Sequence, residues 1–108
     1  MSSNHNSLAV SHLIHKEKTT PSGNGTHLAI IKALGEAGGS EAVSHLIYKE
    51  KMTASGNGTH IAIIEALGEA GGLDAVSHLI YKEKMTASGN GTHLAIIKAL
   101  GNAGRVET

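Results

Sequence analysis

Hydrophobic and polar residues define two kinds of helical segment that alternate along the chain. In residues 40–51 the apolar positions Ala42, Val43, Leu46 and Ile47 form one stripe, which is typical of an amphipathic helix. Residues 59–70 are apolar on nearly all sides, which is typical of a helix buried on several sides. We call these segments helix A and helix B, and we expect Ser40 and Thr59 to cap them.

Loop-forming residues separate the two segments. Residues 53–58 combine small and polar side chains with two glycines and predict a loop. Gly71-Gly72 predicts the end of helix B, because glycine accepts the positive φ that follows a last helical turn. Residues 61–64 alone would suit a β-strand, but the following Glu-Ala-Leu-Gly-Glu-Ala favours a helix.

This pair of segments occurs three times. Ser11-His12-Leu13-Ile14 returns at positions 44 and 77, an offset of 33 residues. We therefore divide the chain into repeats 7–39, 40–72 and 73–105, with a disordered tail at 1–6 and a short tail at 106–108. The prediction is an all-α fold: an α-solenoid of three stacked hairpins, six helices in total. Its predicted core includes Leu46, Ile47, Ile63, Ile64 and Leu67.

The repeat resembles a known family. Glu65-Ala66-Leu67-Gly68-Glu69, Gly71 and then Ala75-Val76 and Leu79-Ile80 are similar to the HEAT-like repeat of the phycobilisome-lyase type. The similarity recurs in all three copies and covers about two-thirds of each. It implies stacked helical hairpins, and a function as a bilin lyase, a chaperone fragment or a binding scaffold, natural or engineered. Copies this alike suit either a recent duplication or a consensus-derived design.

Departures from the family argue against the lyase function. Gly39 and Gly72 stand where the family has Asp, and His27, His60 and His93 stand where it tends to have Arg. Two tyrosines and no tryptophan also offer little to hold a tetrapyrrole. DNA-binding TAL-effector repeats share the repeat length, but their longer second helix would contain Gly71-Gly72, so we set that alternative aside.

Composition narrows the function classes. Nine basic and nine acidic residues give a net charge of zero, which argues against a generally basic nucleic-acid binder. The absence of cysteine excludes thiol catalysis and zinc-thiolate sites. We find neither a signal-peptide pattern nor a membrane-length apolar run, and we expect a cytoplasmic protein without a membrane partner.

The eight histidines are the main candidates for chemistry. Equivalent positions in stacked repeats lie about 8–10 Å apart, so one column of histidines cannot ligate a single metal ion. A metal site would need His45 and His60 of one hairpin together with a carboxylate. Gly56-Asn57-Gly58-Thr59 precedes a helix, but it lacks the strand and lysine of a phosphate-binding loop. We predict no enzyme activity, metal or cofactor.

Protein–protein interaction is the predicted function, through a concave face lined by helix B. Its candidate contact residues are Lys32, Glu65, Lys98, His27, His60 and His93. The alternative is anion or nucleic-acid binding along the edge where helix A ends and helix B begins. That edge would contain Lys16, Lys18, Lys49, Lys51, Lys82 and Lys84.

Self-association is also predicted. Stacked repeats need polar outer faces at their ends, and neither terminal copy differs much from the internal one. We therefore expect copies of the chain to stack end to end or to pair as a dimer, through Val10, Leu13, Ile96 and Ile97.

Overall fold

A computed structural model describes the backbone of residues 2–107 and the side chains of residues 6–105. It contains six α-helices and, within residues 2–107, no strand. The helices are α1 (Ser2–Thr19), α2 (Gly25–Ala37), α3 (Gly39–Met52), α4 (Gly58–Ala70), α5 (Gly72–Met85) and α6 (Gly91–Glu107). The all-α prediction is confirmed, and residues 61–64 lie within α4 rather than in a strand.

The two outer helices are longer than predicted. Helix α1 begins at Ser2, so most of the segment that we expected to be a disordered tail is helical. Helix α6 continues to Glu107, past the predicted stop. At the internal junctions Gly38 and Gly71 adopt φ of 68° and 67°, and the glycine after each is also positive. Copy three has Arg105 in place of that second glycine, and an L side chain rarely adopts positive φ, so the helix continues.

The helix N-termini also differ from the expectation. Asn57, not Thr59, is the N-cap of α4, and its side-chain oxygen accepts the His60 backbone N–H at 2.8 Å. The same bond recurs at the start of α2 and, from Asn90 to His93, in copy three. Helix α3 begins at Gly39 without a side-chain cap, because its N-cap residue is Gly38, which has no side chain, and the predicted cap Ser40 lies inside the helix. Asparagine is a strong N-cap because it satisfies a free helical N–H.

The helices pack in two rows. Within each copy the odd-numbered helix contacts the even-numbered helix that follows it. Helix α4 contacts both α2 and α6, and α3 contacts both α1 and α5. The shortest dimension of the molecule is 17 Å, which corresponds to two helix layers. The surfaces left open by this packing are the outer faces of the two rows and the two ends.

The core lies between the rows. Leu46, Ile63, Ile64 and Leu67 are at most 1% exposed, as predicted, and Ile47 is partly buried against them. Buried alanines accompany these larger side chains, and the described core contains no Phe, Trp or Tyr. Small residues suit helices that approach closely.

Two glycines set the closest approach. A Cβ added to Gly35 would lie 2.7 Å from the carbonyl oxygen of Ala66, and one added to Gly68 would lie 2.8 Å from Cα of Ala99. Real Cβ atoms do not approach backbone atoms this closely, so α2–α4 and α4–α6 each need a glycine at the crossing.

Within residues 2–107, no helix combines the length and the apolar composition that a membrane-spanning helix requires.

Candidate interaction surfaces and a repeated carboxylate cluster

A buried glutamate joins the first copy to the second. The Glu17 carboxylate, on α1, has both oxygens engaged: His27 Nε2 is 2.8 Å from Oε2, and His45 Nε2 is 2.7 Å from Oε1. Lys49 Nζ lies 3.3 Å from Oε2. The Glu17 side chain is 1% exposed. One carboxylate thus connects α1, α2 and α3.

The same arrangement recurs one repeat later. Glu50 on α3 contacts His60 and His78, each at 2.7 Å, and Lys82 Nζ at 3.2 Å. In copy three, Glu83 contacts His93 at 2.9 Å, but its side chain is 38% exposed. Two complete glutamate–histidine–histidine–lysine clusters therefore connect the copies, and a partial one lies on α5 and α6.

Backbone contacts fix which ring nitrogen of one histidine in each complete cluster faces the carboxylate. The Gly23 N–H donates to His27 Nδ1 at 3.2 Å, and the Gly56 N–H donates to His60 Nδ1 at 3.4 Å. Since Nδ1 accepts these bonds, the ring proton sits on Nε2 and is donated to the carboxylate. In each complete cluster one imidazole N–H and one lysine ammonium therefore face the same carboxylate oxygen, from His27 and Lys49 or from His60 and Lys82.

These contacts control the ionisation of the glutamates. Burial raises the pKa of Glu50, but hydrogen bonds from His78, His60 and Lys82 and the charge of Lys82 outweigh burial and lower the pKa to about 2. The pKa of Glu17 is likewise lowered, since bonds from His27 and His45 and the charge of Lys49 outweigh its burial. Both side chains are therefore carboxylates at neutral pH.

The buried polar atoms of these clusters are satisfied within the protein. Among the described residues, every buried side-chain nitrogen and oxygen has a hydrogen-bond partner, and no group of three His, Asp or Glu side chains is arranged to hold a metal ion. The histidines pair across copies, His27 with His45 and His60 with His78, rather than His45 with His60 as a metal site would require. In some proteins, fully satisfied buried networks of this kind rigidify the core and favour one packing register.

The structure places the three histidines of the predicted partner surface in the interior of the protein. His27 and His60 are 1% exposed and His93 is 8% exposed, because each ring turns inward to its glutamate. Lys32, Glu65 and Lys98 are exposed, as that surface requires. Sequence reasoning missed Glu17, Glu50 and Glu83, to which it assigned no role. The signal available in the sequence was that a glutamate occupies the same position in all three copies.

A groove runs along the outer face of α2 and α4. It has a volume of about 580 Å³ and a floor that includes Leu28, Ile61 and Ala62. Lys32 and Glu65, at equivalent positions of the two helices, form part of its rim. Leu94, 54% exposed, continues the apolar row onto α6. We call this surface the helix-B groove.

The predicted lysine edge is weaker than its composition suggested. Lys49 and Lys82 are partly buried and paired with Glu17 and Glu50, so their charge is used within the protein. The other four lysines are exposed: Lys16, Lys18, Lys51 and Lys84. An anion would therefore meet fewer free cations here than the sequence indicated.

The predicted self-association residues divide into two pairs. Val10 and Ile96 are 1% and 0% exposed, because both pack inside the chain, and they are not available to a second copy. Leu13 is partly buried and Ile97 is 46% exposed. Contact between copies stays a prediction, and of these four residues only Ile97 and part of Leu13 are accessible to it.

No protein-family model, curated protein or solved structure matches this chain. The resemblance to HEAT-like repeats of the phycobilisome-lyase type therefore remains a prediction from the repeat sequence.

Proposed function

We propose that this chain is a short HEAT-like α-solenoid that acts as a non-catalytic scaffold and binds a segment of another protein in the helix-B groove. The observation that carries this proposal is the groove itself. Its volume of about 580 Å³ is in the range of pockets that hold ligands, and it combines an apolar floor with a charged rim.

The pattern across the three copies indicates what would bind. The apolar row Leu28, Ile61 and Leu94 crosses α2, α4 and α6, beside a row of alternating charge: Lys32, Glu65 and Lys98. A segment with apolar side chains on one face and the opposite charge order would match both rows. Apolar anchors would supply affinity and the charges would select the orientation.

Differences between the copies support this surface. Copies two and three differ at six positions, and three of these pairs lie on the even helices: 61 and 94, 65 and 98, 69 and 102. The buried glutamates and their histidines are the same in every copy. The shared residues thus maintain the stacking, whereas the groove varies without disturbing the core.

The alternative function, anion or nucleic-acid binding, is less well supported because Glu17 and Glu50 already neutralise two of the lysines. Retention on heparin at low salt, lost when Lys51 and Lys84 are both changed to Gln, would favour that alternative. The bilin-lyase and chaperone functions rest on resemblance alone, and no cofactor is needed for the proposed binding.

The test is selection of binders from a displayed random-peptide library with the 108-residue chain as target. Enriched peptides should bind at least tenfold more weakly to the Glu65→Lys variant, in which the alternation of charge is broken. They should also bind at least tenfold more weakly to Ile61→Ala, which removes part of the groove floor. Lys51→Glu, a matched charge reversal at an exposed position on α3, should bind like the wild type. If Lys51→Glu weakens binding as much as Glu65→Lys, or if no peptide is enriched, the proposal fails.

A further inference from the structure

The outer face of copy three matches a face that is buried in copy two. We call Val76, Ile80, Glu83, Ile97, Leu100 and Gly101 the tail face. Ile64 and Leu67 are 0% exposed in copy two because copy three covers them. Their equivalents Ile97 and Leu100 are 46% exposed and partly buried, respectively. The tail face thus has the composition of an internal interface without a covering helix pair among the described residues.

The outer face of copy one carries the complementary set. We call Ala9, His12, Lys16, Ala29 and Ala33 the head face. Their equivalents in copy two cover copy one: His45 and Lys49 contact Glu17, and Ala66 sits against Gly35. On the head face His12 and Lys16 are exposed, and Ala33 is partly exposed.

We propose that the tail face of one copy of this chain binds the head face of a second copy, which completes the partial cluster at Glu83. In this contact His12 and Lys16 of the second copy occupy the places that His78 and Lys82 occupy around Glu50. The Glu83 carboxylate, bonded within its own chain to His93, gains the second imidazole and the lysine that both internal clusters have.

A backbone notch fixes the same register. A Cβ on Gly101 would meet no atom within 4 Å, whereas one on the equivalent Gly68 would lie 2.8 Å from Ala99. Ala33 of the second copy would fill the notch at Gly101 as Ala66 fills the one at Gly35. The polar cluster and the notch are on different helices, so together they specify one orientation.

The partner is a second copy of the same chain because both halves of the interface are complementary in shape and charge. The carboxylate is on the tail, and its imidazole and ammonium partners are on the head. Such a contact joins unlike faces, so each added copy leaves one free head and one free tail. The proposal is independent of the helix-B groove, on the outer face of the even helices.

Light scattering and sedimentation velocity over a hundredfold dilution at neutral pH test the proposal. The wild-type mass should rise with concentration above the 11.1 kDa of one chain. Gly101→Ala blocks the tail notch, and Ala33→Leu blocks the head. Each variant alone should keep the mass of one chain at every concentration, with helical circular dichroism. At the lowest concentration, where the wild type is also a single chain, thermal stability should be at least equal to the wild type.

Mixing the two variants gives the decisive result. Gly101→Ala retains an intact head and Ala33→Leu an intact tail, so an equimolar mixture should form a species of two chains and stop there. A wild type that keeps the 11.1 kDa mass would overturn the proposal. An Ala33→Leu variant that still dimerises alone would also overturn it, since that result indicates a symmetric tail-to-tail contact.

Discussion

Replacing Glu50 by glutamine removes the charge of one complete cluster and keeps its shape. Glu50 Oε1 and Oε2 accept hydrogen bonds from His78 and His60, and Lys82 Nζ lies 3.2 Å from Oε2. A glutamine has one oxygen that can accept one of these bonds. The Gly56 N–H holds the His60 tautomer, so the glutamine oxygen would have to face His60 and the amide group would have to face His78. The bonds from both imidazoles would then go to a neutral group, and Lys82 would lose the negative charge beside it.

The size of the effect follows from the lowered pKa. A shift from 4.5 to about 2 means that folding stabilises the ionised form of Glu50, relative to the neutral form, by about 3 kcal/mol. Breaking a buried pair by removing one partner costs about 3–5 kcal/mol. We expect Glu50→Gln to lower the free energy of unfolding by about 3 kcal/mol, which in a domain of this size lowers the melting temperature by roughly 12 °C or more.

Glu83→Gln is the matched control. It makes the same substitution at the same repeat position, but the Glu83 side chain is 38% exposed and has one described partner, His93. Exposed pairs contribute about 0–1 kcal/mol, so the control should lose less than about 1 kcal/mol. Urea denaturation followed by circular dichroism at micromolar concentration measures both, since the chain has no tryptophan to report fluorescence.

Equal losses in the two variants would refute this reasoning, because burial and partner number would then not determine the effect. A loss below about 1 kcal/mol for Glu50→Gln would also refute it. That outcome would mean that water or a rearranged glutamine satisfies both imidazoles and that the cluster contributes little to holding the copies together.

Three further predictions concern pH, helix spacing and the core. Because the folded pKa of Glu50 is about 2 and its ordinary value is 4.5, its stabilisation is fully present above about pH 4.5 and is lost as the pH falls towards 2. Urea midpoints of the wild type should therefore fall more steeply over this interval than those of Glu50→Gln, and parallel curves would contradict the assignment. Gly68→Ala should lower stability by about 2 kcal/mol, since overpacking against the Ala99 backbone exceeds the gain in helix propensity, whereas Gly101→Ala should raise it by up to about 1 kcal/mol. Thermal melts of the two variants check this, and changes of the same sign would show that the helices can separate freely. Leu67→Ala, at a position with no exposed surface, should cost about 2–5 kcal/mol in chemical denaturation, and a loss below about 1 kcal/mol would mean that the buried face of α4 is misassigned.

The sequence by itself determined the local features of this protein. The 33-residue repeat, the two helices per copy and most of the core follow from spacing along the chain, because an apolar stripe is a property of one helix. The glycine pair at 71–72 was predicted to end a helix, and its positive φ is observed there. Asn57 could also have been recognised as an N-cap, since its bond to His60 spans three residues.

Only the tertiary structure decided which polar residues meet. The two histidine partners of Glu17 lie 10 and 28 residues away on two other helices, and nothing in the period of any single helix places them together. The need for Gly35 and Gly68 likewise depends on where neighbouring helices cross. The physical reason is that periodicity fixes the direction of a side chain around its own helix axis. The distance between side chains on different helices depends on how the helices pack. That packing placed His27, His60 and His93 inside the protein, against glutamate carboxylates, rather than on the predicted partner surface.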